Sequence, residues 1–394
     1  MSKPDITTCV SRENKRELLK IVCRCVQGLD VDCPSEEDQA PIARLAAVHG
    51  VANILYYAVG ARCCENVREM LLKSHKRCRV MEAKQTLETE NLIGIFEEKG
   101  IRNMVLKGTL IRPLYPTPDM RYMSDVDILI DSQSENAIDA VMKSDGFERR
   151  EDTEKDINYI KMPFLHYEFH KNLVEEIIPS YDYYKTCWQK AALKEGCRFT
   201  YTMKHEDFYI YSIVHLMKHF IFGGVTIRAL LDEYLFLERY GACLDWEYIK
   251  SELEKLKLTG LEKNVRDVCG VVFYGRETTP LLEEMIDVFL DNFREKKSDE
   301  AVFSVLALKS EERAQTSETE MKLRRFFPKM EYMRCQYPVL KKFPFLLPVM
   351  WVVRLVTSPL RHKNLIKRER EIASKSTDES EKLRAYYQRF GIGS

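Results

Sequence analysis

The chain of 394 residues has little glycine and little proline, with 16 of the first and 14 of the second. Together these two residues make up about 12% of an average protein, so their scarcity predicts a helix-rich fold with few tight turns. Net charge is also absent, because 61 lysines and arginines balance 61 aspartates and glutamates. A neutral chain has no overall positive field for a phosphate backbone, and we therefore expect no stable nucleic-acid binding.

The sequence also lacks the cysteine spacing of structural zinc sites. None of its 12 cysteines forms a CxxC pair, and scattered cysteines of this kind are typical of reduced, buried thiols. The first 20 residues are polar and contain no apolar stretch of the signal-peptide type. No apolar run reaches the roughly 20 residues that a membrane-spanning helix needs. These absences predict a cytoplasmic protein.

The apolar run nearest to that length covers residues 343–356 and contains two prolines and one arginine. Lysines and arginines flank and follow it as far as residue 368. Two interpretations stay open. The segment is a buried helix of the C-terminal region, which we favour, or residues 343–368 make a peripheral contact with an anionic membrane face.

The hydrophobic pattern predicts an α+β fold that is mainly helical, with a small mixed sheet at its core. Helical periodicity dominates the chain up to about residue 99 and again from about residue 206, whereas short apolar runs alternate with helical segments between 85 and 175. The predicted divisions are an N-terminal helical region at 1–84, an α/β core at 85–200, a helical domain completing the cleft at 201–308 and a C-terminal helical tail at 309–394.

The stretch most informative about chemistry runs from residue 105 to residue 130. Asp125 and Asp127 lie two residues apart at a predicted strand, so their side chains share one face. Neighbouring carboxylates repel each other unless a cation lies between them, and magnesium prefers such oxygen ligands. Upstream, Gly108 and Thr109 at a strand-to-helix turn would present backbone N–H groups to a phosphate. Without this context the acids would be a solvent-exposed strand end; with it, two-metal phosphoryl or nucleotidyl transfer is favoured.

These residues resemble the signature of the DNA polymerase beta nucleotidyltransferase superfamily. The matching segments are Leu106-Lys107-Gly108-Thr109 and Ser124-Asp125-Val126-Asp127-Ile128, with Thr109 in place of the usual glycine or serine. A closer resemblance, over roughly residues 40–250, is to the bacterial proteins of the uncharacterised nucleotidyltransferase family. The further motifs shared with that family are Tyr115-Pro116, Arg121, Glu168-Phe169-His170, His215, His219, Arg228, Asp232 and Asp245-Trp246.

The resemblance implies a two-metal, magnesium-dependent enzyme that moves a nucleoside monophosphate from a triphosphate such as ATP to a hydroxyl of a small-molecule acceptor and releases pyrophosphate. It implies that Asp125, Asp127 and Glu168 hold two magnesium ions and that Glu168 activates the acceptor hydroxyl. Glu175 and Glu176 are the alternatives for the third acid, because they lie close by on the same stretch.

The resemblance also implies a triphosphate-binding set, made of Lys107, Gly108, Thr109 and Arg121. His170, Arg228 and Asp232 are candidates for acceptor contacts or for support of the acids. Arg228 and Asp232 are four residues apart, so the simpler reading is an ion pair along one helix. His215 and His219 have the same spacing, and without a third ligand a hydrogen-bonded pair is favoured over a metal site.

Two other functions stay open at this point. A nucleotide-binding regulator or scaffold with little catalysis would use the same fold, and the position of Glu168 relative to the aspartates discriminates it from an enzyme. A protein- or tRNA-nucleotidylating enzyme would use the same chemistry on a macromolecular acceptor, and zero net charge argues against tRNA.

Overall fold

The structure is a computed structural model, and it describes residues 10–150, 156–175, 178–291, 308, 339–351, 353 and 377–393. Helices make up most of these residues, and one five-stranded sheet contains both parallel and antiparallel pairs. The mainly helical α+β fold with a small mixed sheet is therefore confirmed. No helix in the described ranges is both long enough and apolar enough to cross a membrane.

Four helices precede the sheet: α1 (Arg12–Val26), α2 (Glu36–Val48), α3 (Ala52–Val59) and α4 (Glu65–Lys99). Ser11 begins α1 by accepting a hydrogen bond from the backbone N–H of Asn14 at 3.1 Å, which satisfies an otherwise unpaired donor. The 35-residue α4 ends at Gly100, whose φ of 70° is readily adopted only by glycine. The chain turns there directly into the sheet.

The main sheet has five strands: β1 (Asn103–Val105), β2 (Val126–Ile130), β3 (Glu148–Arg149), β4 (Asp156–Lys161) and β5 (Leu165–His170). Their spatial order is β1-β2-β5-β4-β3. Only β2 and β5 run parallel; the other neighbours are antiparallel. The elements that connect them include the short helix α5 (Gly108–Ile111) after β1 and helix α6 (Glu135–Ser144) after β2.

One face of the sheet packs on α4 and α6 and forms the core with them. Side chains alternate between the two faces along β5, so every second residue points into this core. Tyr167 and Phe169 point into this core and are fully buried, together with Phe96 of α4 and Ile128 of β2. Thr89 of α4 forms a 3.0 Å hydrogen bond with the Tyr167 hydroxyl, which satisfies that buried polar group. The opposite face of β5 is therefore left for the polar residues at positions 166, 168 and 170.

After the main sheet come two short helices, α7 (Tyr181–Tyr184) and α8 (Cys187–Lys190), and a hairpin of β6 (Ala191–Leu193) and β7 (Tyr201–Met203). Five longer helices follow: α9 (His205–Phe222), α10 (Ile227–Tyr240), α11 (Trp246–Leu256), α12 (Thr259–Tyr274) and α13 (Pro280–Asp291). Asp245 caps α11 by accepting from the Tyr248 N–H at 2.9 Å, as its position predicts.

The chain divides into two compact units, one of Met1–Glu295 with Phe390–Ser394 and one of Lys296–Arg389. The second unit includes the helices Val339–Lys342 and Thr377–Arg389 and a 3-10 turn at Pro344–Leu346. Within segment 343–356 the described side chains are not buried; Phe345 is 74% exposed and Val349 56% exposed. The expected buried helix is thus not seen in this part, and the rest of the segment lies outside the described residues. The four predicted domain boundaries stay a prediction.

Replacing Phe169 tests the core on which the strand positions depend. Its side chain is fully buried against Phe96, with ring centroids 6.0 Å apart. We expect Phe169→Ala to lower the free energy of unfolding by about 3–5 kcal/mol, because it leaves a cavity in the core. Leu87→Ala is the control, since Leu87 is 59% exposed on α4; its effect should stay within about 0.5 kcal/mol. Urea denaturation followed by circular dichroism measures both, and equal effects would contradict this account of the core.

Candidate active site

A cavity of about 500 Å³ lies where the polar face of the sheet meets α9 and α10. Most of the residues predicted from the sequence line it: Lys107, Gly108, Arg121, Asp125, Asp127, Glu168, Arg228 and Asp232. Thr109 and His170 are the two predicted residues that do not. The cavity brings acidic and basic groups from separate parts of the chain together in one place.

The parallel pairing of β2 with β5 sets the positions of the acids. Asp127 of β2 lies directly opposite Glu168 of β5 in the register, and Asp125 comes just before β2 begins. Corresponding residues on parallel neighbours project to the same face of a sheet. Burial raises the pKa of Glu168, and the charges of Asp125 and Asp127 raise it further. The three predicted acids therefore form one mutually repelling group.

Two neighbours neutralise Asp127. The Lys107 ammonium lies 2.8 Å from Asp127 Oδ1, and His170 Nε2 lies 2.5 Å from the same oxygen. Burial alone would raise the pKa of Asp127, but these two partners outweigh it and hold that pKa well below its usual range. Burial likewise opposes the charge on Lys107, and the Asp127 carboxylate raises the Lys107 pKa above its ordinary value. Both groups are thus held in their charged forms.

His170 connects two strands through its imidazole ring. Its Nδ1 lies 2.5 Å from Oδ1 of Asp156 at the start of β4, while its Nε2 contacts Asp127. Because both ring nitrogens are engaged, His170 orients the Asp127 carboxylate from behind the cavity wall. The sequence pointed to His170 but missed Asp156, whose contact depends on the antiparallel register of β4 with β5.

The donor atoms at this site fit a hard divalent cation. Two sets of three side chains bring their ligand atoms within 4.8 Å of one another: Asp125, His166 and Glu168, and Asp127, Glu168 and His170. Glu168 belongs to both sets. With His170 already held by two carboxylates, the donors best placed are carboxylate oxygens, which are the ligands that magnesium prefers. His166 shares this face of β5 because side chains alternate along a strand.

The turn after β1 brings the chain close to Arg121. Lys107 has a φ of 46°, a strained conformation for a residue other than glycine. A Cβ on Gly108 would clash with Nη1 of Arg121 and would lie 2.9 Å from the Met123 sulfur. Position 108 therefore requires glycine. The buried hydroxyl of Thr109 has no hydrogen-bond partner among the described residues, and the expected phosphate contact of this residue stays a prediction.

Arg121 is fixed by a bidentate ion pair with Asp232 of α10. Its Nε lies 2.9 Å from Oδ1 and its Nη2 2.7 Å from Oδ2. The Tyr115 hydroxyl donates a further bond to Oδ1 of Asp232 at 2.7 Å. The fork geometry leaves Nη1 over Gly108, on the cavity side. Tyr115, quoted only as part of a motif, is thus one of the groups that hold Asp232.

The prediction of an ion pair between Arg228 and Asp232 on α10 is wrong. Both carboxylate oxygens of Asp232 are used by Arg121, and Arg228 instead donates to the backbone carbonyl of Tyr122 at 3.0 Å. A buried bidentate partner outcompetes a helical neighbour, whose contribution is only about 0.3–0.5 kcal/mol. Arg228 still lines the cavity and adds positive charge there.

The pair of histidines on α9 behaves as expected. His219 Nε2 lies 3.0 Å from His215 Nε2, so they form a hydrogen-bonded pair. Burial lowers the pKa of both residues, that of His219 to about 4. Of the alternative acids, Glu175 pairs with Lys218 at 2.5 Å, and Glu176 lies outside the described residues.

Sequence reasoning missed Glu233, which also lines the cavity. It is 5% exposed, and its Oε2 has no hydrogen-bond partner within the described part of the chain. Burial raises the pKa of Glu233 to about 8. An acid on a helix usually faces solvent, so only the spacing of Ala229, Glu233 and Phe236 on one face of α10 could have indicated its burial.

Comparison with known proteins gives one match. A family model described as "Uncharacterised nucleotidyltransferase" matches residues 35–273, which contain the whole cavity and the sheet beneath it. No curated protein and no solved structure matches the chain.

The ion pair of Arg121 with Asp232 predicts that substitutions at these two positions have strongly non-additive effects on the free energy of unfolding. Asp232→Ala should lower the free energy of unfolding by about 3–5 kcal/mol, because it leaves a buried guanidinium without its partner. The double variant Arg121→Met with Asp232→Leu should recover most of that loss. Denaturant titration of the single and double variants measures the coupling, and additive effects would argue against it. Asp267→Ala, which breaks an exposed helical pair with Lys263, is the control and should change little.

Glu233 predicts a dependence of stability on pH. Its pKa is about 8 in the folded chain and near 4.5 without burial. The folded state thus keeps a proton that the unfolded state loses, so this stabilisation is fully present below pH 4.5 and is lost as the pH rises through 8. The melting temperature of the wild type should therefore fall, relative to Glu233→Gln, between pH 4.5 and pH 8. If the melting temperatures of the two proteins change equally with pH over this range, the raised pKa of Glu233 is refuted.

Proposed function

The chain belongs to the uncharacterised nucleotidyltransferase family, and from this premise we propose that it transfers a nucleoside monophosphate from a nucleoside triphosphate to a small-molecule hydroxyl. The observation that carries the proposal is the register of β2 with β5, which places Asp127 opposite Glu168 and beside Asp125. This arrangement favours catalysis over a purely regulatory role, because the third acid faces the other two.

Asp125, Asp127 and Glu168 are the proposed metal ligands, and two magnesium ions are the proposed cofactors. A divalent cation bound there would neutralise phosphate charge and polarise the phosphorus that is attacked. Lys107 and His170 keep Asp127 ionised and oriented. The protein's own contribution is therefore an ordered set of oxygens, which needs little rearrangement during the reaction.

The triphosphate would bind along the turn after β1. The missing Cβ of Gly108, at the beginning of α5, leaves room for Nη1 of Arg121, which lies directly over it and would face the phosphates. Lys107 and Arg228 add positive charge along the same cavity. These groups suit a triphosphate in number and charge, whereas Thr109 is assigned no contact through its hydroxyl.

The reaction is an in-line displacement at the α-phosphorus. The acceptor oxygen forms a new bond to that phosphorus, the bond to the bridging oxygen breaks, and pyrophosphate leaves with its electron pair. Glu168 takes the proton of the acceptor hydroxyl. Its pKa, raised first by burial and then by Asp125 and Asp127, suits a general base better than that of an ordinary glutamate.

Asp127→Asn tests this proposal. We expect magnesium-dependent binding of triphosphates to be lost and pyrophosphate release, with a cell metabolite extract as the source of acceptor, to fall about 100-fold or more. Isothermal titration with ATP, GTP, CTP and UTP and a pyrophosphate assay measure the two effects. The matched control is Glu148→Gln, at an exposed position on the edge strand β3, which should behave as the wild type. Equal triphosphate binding by Asp127→Asn and the wild type would contradict the proposal.

A further inference from the structure

One end of the cavity has a lining that phosphate chemistry does not explain. We call it the α9–α10 recess and define it by Phe208 and Ser212 of α9 and Glu233 and Phe236 of α10, all of which line the cavity. The rings of Phe208 and Phe236 are 5.3 Å apart, so the start of α9 packs against the end of α10. Phe208 lies two helical turns, about 11 Å of rise, from His215 on the same helix.

Glu233 is the unusual group in this recess. Its side chain is nineteen-twentieths buried, and its Oε2 has no hydrogen-bond partner among the residues described. The Ser212 hydroxyl beside it donates to the backbone carbonyl of Tyr209 at 2.8 Å. Ser212 also hydrogen-bonds the Glu233 carboxyl and lowers its pKa, against the larger effect of burial, so Oε2 is the oxygen left without a partner. A buried carboxyl oxygen without a partner is rare in native proteins, and one that lines a cavity is explained by a ligand that supplies the missing donor.

The chemistry of the recess suits a flat aromatic ligand with a polar edge. Two phenylalanines provide apolar contact for such a ring. Contacts between aromatic side chains and nucleobases are favourable for every base. A polyhydroxylated acceptor would need many polar partners, whereas the recess offers one carboxyl and one hydroxyl between apolar side chains. A few polar groups in an apolar pocket are typical of sites that orient one edge of a ligand.

We infer that Glu233 accepts a hydrogen bond from the exocyclic amino group of the triphosphate's nucleobase, so that the site prefers an amino-bearing base over the same base without its amine. This inference rests on the proposed function, and it assigns the recess to the base. Adenine, guanine and cytosine each carry such an amine, and removing it takes away the donor that Glu233 would accept from.

The protonation state of the recess is consistent with this assignment. Burial raises the pKa of Glu233 to about 8, so the carboxyl is mostly neutral at pH 7. A neutral carboxyl carries one hydroxyl donor and one carbonyl acceptor. It can therefore accept from an amine and still donate to a neighbouring ring nitrogen, and no counter-charge has to enter the apolar recess.

Paired nucleotides that differ by one amino group test the inference. ATP is compared with purine riboside triphosphate, and GTP with inosine triphosphate, by isothermal titration in the presence of magnesium. For the pair that includes the preferred base, we expect the wild type to bind the amino-bearing nucleotide about tenfold more tightly than its partner.

Substitutions at position 233 show whether the carboxyl is responsible. Glu233→Leu should abolish the tenfold ratio of affinities by weakening only the binding of the amino-bearing nucleotide. Glu233→Gln should retain part of this ratio because its amide oxygen also accepts a hydrogen bond. Glu238→Leu, on the same helix but outside the cavity lining, should leave the ratio unchanged. Thermal melting monitors folding, and Glu233→Gln keeps the test valid if the leucine variant does not fold.

The outcomes separate the inference from the proposed function. The inference would be overturned if triphosphate binding requires Asp127 but Glu233→Leu still prefers the amino-bearing nucleotide by the same factor as the wild type. That result would leave the proposed nucleotidyltransferase function standing. The same holds if Glu233→Leu raises only the KM for the acceptor. The absence of magnesium-dependent binding of any triphosphate to the wild type would overturn both.

Discussion

The site depends on the parallel pairing of β2 with β5, because this pairing places carboxylates side by side. Asp127 faces Glu168 across the two strands, and close like charges destabilise a fold unless something compensates for them. Lys107 and His170 compensate on one side of Asp127. The repulsion that remains at Glu168 is the feature that a bound cation would relieve. Fold and proposed chemistry thus meet at one electrostatic constraint.

A second set of charges ties the sheet-side loop to the helices. Arg121 reaches from the loop before β2 to Asp232 on α10, and the Tyr115 hydroxyl holds the same carboxylate. Since the bidentate pair uses two guanidinium nitrogens, the third stays above Gly108. The cavity is therefore basic where the turn after β1 lies, acidic at β2 and β5, and mostly apolar in the α9–α10 recess. This gradient matches the phosphates, the metal-bound reaction centre and the base of a nucleotide in turn.

Local patterns in the sequence predicted the parts of the site that depend on local structure. Asp125 and Asp127 share a strand face and Gly108 begins a helix, whereas Glu168 was predicted only through the family resemblance. Contacts set by strand register or helix packing escaped prediction. The bond of Asp156 to His170 needs the β4–β5 register, and the burial of Glu233 needs α9 packed on α10. The pair expected between Arg228 and Asp232 failed for the same reason, since Arg121 arrives from a distant loop and takes both oxygens.

The family match and the acid arrangement together support a nucleotidyltransferase, and we propose that the carboxylates opposite each other on β2 and β5 hold a divalent cation with the nucleotide. Manganese, a paramagnetic substitute for magnesium, reports this binding through its electron paramagnetic resonance signal. We expect the wild type to remove manganese from the free pool, more strongly when a triphosphate is present, and Glu168→Gln to weaken this uptake. Manganese that stays free in both conditions, or uptake unaffected by Glu168→Gln, would contradict it.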